Sequence, residues 1–166
     1  MTQITTFLTF NNQAEEAARF YTSMFPNSRV TQVTRYPDLG QGDPGAGSPL
    51  PPAGSVMTVA FELDGREFVA LNGGPSFSFS QGISIYVGCD TQEEVDRYWD
   101  RLLEGGGTPV ACGWLIDRFG VSWQIDPKIL TELIADPDPS RAKKAMTAMM
   151  GMVKIDSEEL KRAVGE

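Results

Sequence analysis

The sequence predicts an α+β fold in which two βαβββ modules, at about residues 1–75 and 82–126, pair as one domain around a common core. A helical extension follows over residues 127–166. Three observations predict it. A shift of 78 positions lays residues 12–21 on residues 90–99 without a gap, so that Glu15 meets Glu93, Glu16 meets Glu94, Arg19 meets Arg97, Phe20 meets Tyr98 and Tyr21 meets Trp99. Each copy has one strand-like run before it and three after it. One such half leaves a sheet face that its single helix only partly covers, so two halves pair to close a common core.

The elements follow in order. Residues 4–10 form an apolar run with β character. Asn12 with Glu15 makes a capping box worth ~1 kcal/mol to the helix it opens, and Ala17, Phe20, Tyr21 and Met24 recur on one helical face. Strands are predicted at 30–36, 56–63 and 66–72, with Asp64-Gly65 as the turn of a hairpin. The segment 37–54 holds five prolines and five glycines; no helix or central strand survives that density, so it is a long loop. Its Gly45-Ala46-Gly47 has no strand before it and no helix after it, and is no nucleotide fingerprint.

The second half repeats the plan. Residues 83–89 form a strand, Asp90 with Glu93 a capping box, and Val95, Tyr98, Trp99 and Leu102 an apolar helix face. Gly105 to Gly107 end that helix. Strands are predicted at 108–111, 113–117 and 121–125, the last two joined by a turn at Asp117 to Gly120. In the extension Asp126-Pro127 reads as the N-cap and first residue of a helix carrying Ile129, Leu130, Leu133 and Ile134. Asp138-Pro139 opens another with Met146, Met149, Met150 and Met152, a stripe suited to core or interface packing. Asp156 caps a third at 157–164.

Composition narrows the chemistry. The chain has 166 residues, 41% hydrophobic and 22% charged, and a net charge of −8. It has no apolar run long enough to span a bilayer. At this length a domain buries roughly 70% of its unfolded surface without disulfides or metal. The negative field disfavours nucleic acid and anionic membranes as partners. The N-terminal Met-Thr-Gln-Ile has no basic start and no apolar signal core, and two cysteines fit a reducing compartment, so a cytoplasmic location is expected. There is no histidine, which removes Ser-His-Asp and Cys-His catalysis and imidazole metal sites.

What remains is carboxylates, Cys, Tyr and Lys. Cys112, beside Gly113 and Trp114, is the candidate nucleophile, but no cationic partner is legible for its thiolate, and a buried inert thiol fits both it and Cys89. Glu62 and Glu67 suit a strand edge in solvent. Trp114, Trp123, Phe77, Phe79 and Tyr86 are candidates for an aromatic wall facing a planar ligand, with core packing as the alternative for each.

The local motifs 14–21 (AEEAARFY), 25–28 (FPNS), 71–75 (LNGGP), 112–114 (CGW), 117–124 (DRFGVSWQ) and the methionine-rich 136–154 resemble the PhnB-like branch of the vicinal oxygen chelate superfamily. That superfamily includes glyoxalase I, ring-cleaving dioxygenases and bleomycin-resistance proteins, and the branch carries the name 3-demethylubiquinone-9 3-methyltransferase domain. The resemblance covers essentially the whole chain. It implies paired βαβββ modules around a cup, a small-molecule ligand, and a homodimer in which modules close within or between subunits, with the helix of residues 140–152 as a cover on the partner.

The resemblance also implies where a site would sit. The superfamily's metal ligands, usually His or Glu, fall on Thr6, on Ala70 or Asn72, on Ser84 and on Gln124. Hydroxyl, amide and methyl groups are poor ligands for a divalent transition metal, so no metal and no cofactor is expected. The cup is expected to be floored by Thr6, Asn72, Ser84 and Gln124, with Tyr86 and Trp114 at its wall. The 37–54 loop and the Phe77–Phe79 stretch are candidate lids. A metal-free small-molecule-binding protein is the leading reading. The alternative is an enzyme, either a methyltransferase as the family name suggests or a metal-dependent lyase or dioxygenase. Residues 10–13, between the first strand and helix, carry no glycine to cradle S-adenosylmethionine.

Overall fold

The structure, a computed structural model, describes residues 2, 4–40 and 50–166. The segment 41–49, with the Gly45-Ala46-Gly47 stretch and half of the predicted loop, lies outside the described residues. The chain divides into two compact units, Met1–Ser78 and Phe79–Glu166. It is an α+β protein with two four-stranded mixed sheets and C-terminal helices.

The first unit runs β1 (Thr6–Phe10), α1 (Ala14–Thr22), β2 (Arg29–Arg35), β3 (Val56–Leu63) and β4 (Arg66–Asn72). Its sheet order is β1-β4-β3-β2, with β1 and β4 parallel and the other pairs antiparallel. Alternation puts Leu8, Phe10, Val59, Phe61, Leu63, Phe68 and Ala70 on one face, where α1 covers them with Ala14, Ala17, Ala18 and Tyr21, all buried. Phe61 stacks on Phe68 at 5.5 Å and meets Tyr21 at 6.3 Å. Each large side chain so buried contributes roughly 1.5–3 kcal/mol. Asp64 and Gly65 both hold positive φ, 46° and 75°, the pair a tight hairpin turn requires.

The start of α1 corrects the predicted capping box. The helix begins at Ala14, its N-cap is Gln13, and no side chain of that link caps it. The orphan Ala14 N–H donates instead to Asn72 Oδ1 at 2.9 Å. The cap arrives from the end of β4 because three residues, not two, separate strand from helix, which carries Asn12 out of range.

The second unit runs β5 (Ile85–Cys89), α2 (Gln92–Leu103), β6 (Thr108–Pro109), β7 (Trp114–Ile116), β8 (Ser122–Pro127), α3 (Lys128–Ile134), α4 (Pro139–Met150) and α5 (Ser157–Val164). Its sheet order is β5-β8-β7-β6, with β5 and β8 parallel. Leu115, Trp123 and Ile125 are fully buried, as are Val95 and Leu102 of α2. Here too the cap is one residue from its expected place. Thr91 Oγ1 accepts from Glu94 N at 3.2 Å, and Glu94 Oε2 accepts from Asp90 N at 2.8 Å.

Asp126 does not cap α3. It lies inside β8, and Pro127 is the N-cap. Asp138 and Asp156 do cap α4 and α5. The three helices and the link between α4 and α5 gather Leu130, Leu133, Ala145, Met152, Ile155, Leu160 and Val164 into one cluster, leaving Met146 and Met150 on the surface. This segment is tied into the unit by polar bonds. Gln92 on α2 donates to Ile155 O at 3.0 Å, and its Oε1 accepts from Ser157 N and Oγ. Cys112 N–H and Gly113 N–H donate to Met152 O and Val153 O, each at 2.8 Å. Among the described residues no helix is long and apolar enough to cross a membrane.

Candidate functional site

The exposed face of the second sheet carries the clearest constellation. Gln124 on β8 is in register with Tyr86 on β5 to one side and with Trp114 on β7 to the other. All three point away from α2, because their neighbours Trp123, Ile125 and Leu115 fill the core on the α2 side. Gln124 Nε2 donates to Ser84 Oγ at 2.7 Å, and Tyr86 OH shares a hydrogen bond of 3.3 Å with Thr131 Oγ1 of α3. An amide thus stands between two aromatic rings, with strands spaced about 4.8 Å apart setting the row. The Gln124 carboxamide keeps Oε1 and one N–H to offer.

Four of the expected residues, Ser84, Tyr86, Trp114 and Gln124, therefore share one face. Thr6 and Asn72 belong to the first unit. Both have the parity of Leu8, Phe10, Phe68 and Ala70, so they lie on the α1 side of the first sheet. Asn72 is also spent, its Oδ1 on Ala14 N and its Nδ2 on Val56 O at 3.0 Å; it borders a cleft of about 650 Å³ at the ends of β1 and β4. Ala70 is buried in the core. For Thr6 the reason is register. The helices match at a shift of 78, but the first strand-to-helix link is one residue longer, so β1 and β5 match at 79. A slip of one residue exchanges the two faces of a strand.

At the corrected shift Phe7 stands where Tyr86 does. Phe7 is in register with Val69, and Val69 with Ala60, so the open face of the first sheet carries an apolar row instead. Phe7 is 58% exposed and Tyr86 50%. Phe7 was missed, although the pattern held the signal: a shift of 79 pairs Phe7 with Tyr86, Leu8 with Val87 and Phe10 with Cys89, aromatic on aromatic and apolar on apolar.

The aromatic-wall candidates separate in the same way. Trp123 is core, its Nε1 donating to Asp117 Oδ2 at 2.9 Å. Phe77 is exposed and Phe79 half-buried. Cys89 is buried and its thiol is pushed up to about 12, first by burial and then by the negative charges of Glu94 and Asp126, so it is no nucleophile near neutrality. Cys112 is half-buried in a left-handed turn, φ 58°.

No group of three His, Cys, Asp or Glu among the described residues could hold a metal ion. Thr6, Ala70, Asn72, Ser84 and Gln124 supply no imidazole, thiolate or carboxylate, and the Asn72 amide is engaged at both ends. These donors do not fit a divalent transition metal.

A helix-backed four-stranded mixed sheet, occurring twice along one chain, is the glyoxalase-like α+β arrangement. The chain belongs to the family described as 3-demethylubiquinone-9 3-methyltransferase, which matches residues 2–126. It is similar to the PhnB protein from Bacillus cereus, at 35% identity over 76% of this chain and 99% of that one, with a TM-score of 0.63. The protein PA1353 from Pseudomonas aeruginosa shares the fold, at 22% identity over 76% of this chain and 98% of that one, with a TM-score of 0.55. A search of the curated proteins finds no match.

Proposed function

We propose that the chain is a metal-free small-molecule-binding protein whose ligand lies on the Tyr86–Gln124–Trp114 row. The observation that carries this is the Gln124–Ser84 hydrogen bond on an exposed face between two rings. Two aromatic faces stack a planar molecule, and one carboxamide reads its polar edge. The row carries no charge, which suits a neutral or weakly polar ligand better than a phosphate or dicarboxylate. Residence in the cytoplasm is part of the reading, since both cysteines are free thiols, and so is indifference to nucleic acid and to membranes.

Native mass spectrometry of freshly purified, untagged protein tests it by showing a co-purifying small molecule. The pair Gln124→Leu and Ser84→Ala is expected to fold as the parent does and to bind that molecule at least about tenfold more weakly, the worth of one or two lost hydrogen bonds. Unchanged affinity in the double variant places the site elsewhere. The second reading, an enzyme, rests on the methyltransferase in the family's description. A stoichiometric transition metal kept through dialysis against chelator, or methyl transfer from S-adenosylmethionine, would favour it.

A C2 homodimer belongs to the same proposal. Met146 is 38% and Met150 68% exposed on α4, an adaptable apolar surface that a second copy would cover. Sedimentation at tens of micromolar is expected to give twice 18.1 kDa; a species of 18.1 kDa would contradict it.

A further inference from the structure

Asp126 is 7% exposed, and its Oδ1 has no hydrogen-bond partner among the described residues. It shares the parity of Gln124, yet it is covered, because the turn at Gly113 and the stretch around Ile155 close over it. A Cβ on Gly113 would stand 2.1 Å from Asp126 Oδ1 and 3.1 Å from Ile155 Cγ1. That stretch is held to the turn by Cys112 N–H and Gly113 N–H. Further back, α3 reaches the candidate site through the Thr131–Tyr86 hydrogen bond.

We propose that the C-terminal segment is a proton-controlled cover on the open face of the second sheet, held down while the Asp126 carboxyl is neutral and loosened when it ionises. A neutral carboxyl tolerates one buried oxygen without a partner; a carboxylate there has no donor among the described residues to offset its loss of solvation. The identity of the face as a ligand site rests on the function proposed above, but the cover itself does not.

The surrounding charges leave Asp126 without a counter-ion. On β5 the facing residue is Gly88, and the titratable neighbour Cys89 stays protonated. Beside Ile155, Lys154 is bonded to Asp96 at 2.7 Å and Asp156 caps α5. Lys128, two residues on, is paired with Asp90. Cys112 completes the turn side. Burial pushes the Asp126 carboxyl up to about 6. The folded value is thus above the unfolded one, so the stabilising contribution is complete below the unfolded value and is lost as pH rises through about 6.

Amide hydrogen exchange of Cys112 and Gly113, corrected for intrinsic rates, tests this without any ligand. Their opening constant is expected to rise about tenfold from pH 5 to pH 8, with most of the rise complete by pH 7, while α1 amides stay level. Asp126→Asn is expected to flatten the profile. An equal opening constant at both pH values in the parent protein, or a pH dependence surviving in Asp126→Asn, overturns the proposal. Should that variant not fold, the parent profile decides alone: a rise continuing from pH 7 to pH 8 overturns it too. Failure of the ligand reading would leave this profile unchanged.

Discussion

Asp117→Ala should lower the unfolding free energy of the second unit by about 3–5 kcal/mol, read as a shift of the urea midpoint at unchanged slope. Asp117 is 3% exposed and its carboxylate is the hub of the last hairpin. Oδ1 accepts from Phe119 N at 2.9 Å and from Val121 N at 3.0 Å, and Oδ2 accepts from Trp123 Nε1 at 2.9 Å. Truncation strips all three donors of this acceptor at once, and each buried donor left without a partner costs roughly 1–3 kcal/mol. Asp117→Asn is the discriminating control. It keeps one acceptor oxygen for the turn but presents an NH2 to the indole N–H, so its loss should be about half as large. A loss below about 1 kcal/mol for the alanine variant would show that the turn does not depend on this carboxylate.

Gly113→Ala comes next, at about 3 kcal/mol. Two penalties combine. The residue has φ 81°, a region in which a side chain is strained. The added methyl would also sit 2.1 Å from Asp126 Oδ1 and 3.2 Å from the backbone oxygen of Ile125. Relief is blocked because Asp126 is itself enclosed. Chemical denaturation of Gly113→Ala, Asp126→Ala and the pair checks the mechanism. Removing the carboxylate removes the clash, so the double variant should lose clearly less than the sum of the single losses. Strict additivity would mean that the steric account is wrong and only the backbone strain remains.

Much of the fold was legible because it is written in periodicity. Ala17, Phe20 and Tyr21, like Val95, Tyr98 and Trp99, announce helices by spacing alone, and β3 and β4 fall where alternation and the Asp64-Gly65 turn put them. The helix caps were less legible because their partners are remote: Asn72 reaches Ala14 from 58 residues away. Ser84, Tyr86, Trp114 and Gln124 fall on one face because the motifs that carry them follow the register of a single sheet. Thr6 was placed by extending a gapless match of helices through the link at 11–13, which is one residue longer than its counterpart, so it lies on the α1 side of its sheet, whereas Asn72 entered through the open register of its strand. Asp126 was read as a cap because Asp-Pro before an apolar helix looks like one. Its burial depends on Gly113 and Ile155, and no local pattern reports that.

The ties from Gln92 to Ile155 and Ser157, and from Cys112 and Gly113 to Met152 and Val153, also set an order of events during synthesis. The first unit has its sheet, its helix and its remote cap once Asn72 has emerged, so it can fold while the ribosome is still reading the rest. The second unit cannot. Its β-strands are made by residue 127, but the groups that answer the Cys112 and Gly113 N–H groups and close over Asp126, at Met152, Val153 and Ile155, come only later in the chain. Through that interval the nascent sheet exposes apolar and unpaired polar groups together. A chain cut between α3 and α5 would therefore lack both the carbonyls that answer the Cys112 and Gly113 N–H groups and the stretch that closes over Asp126.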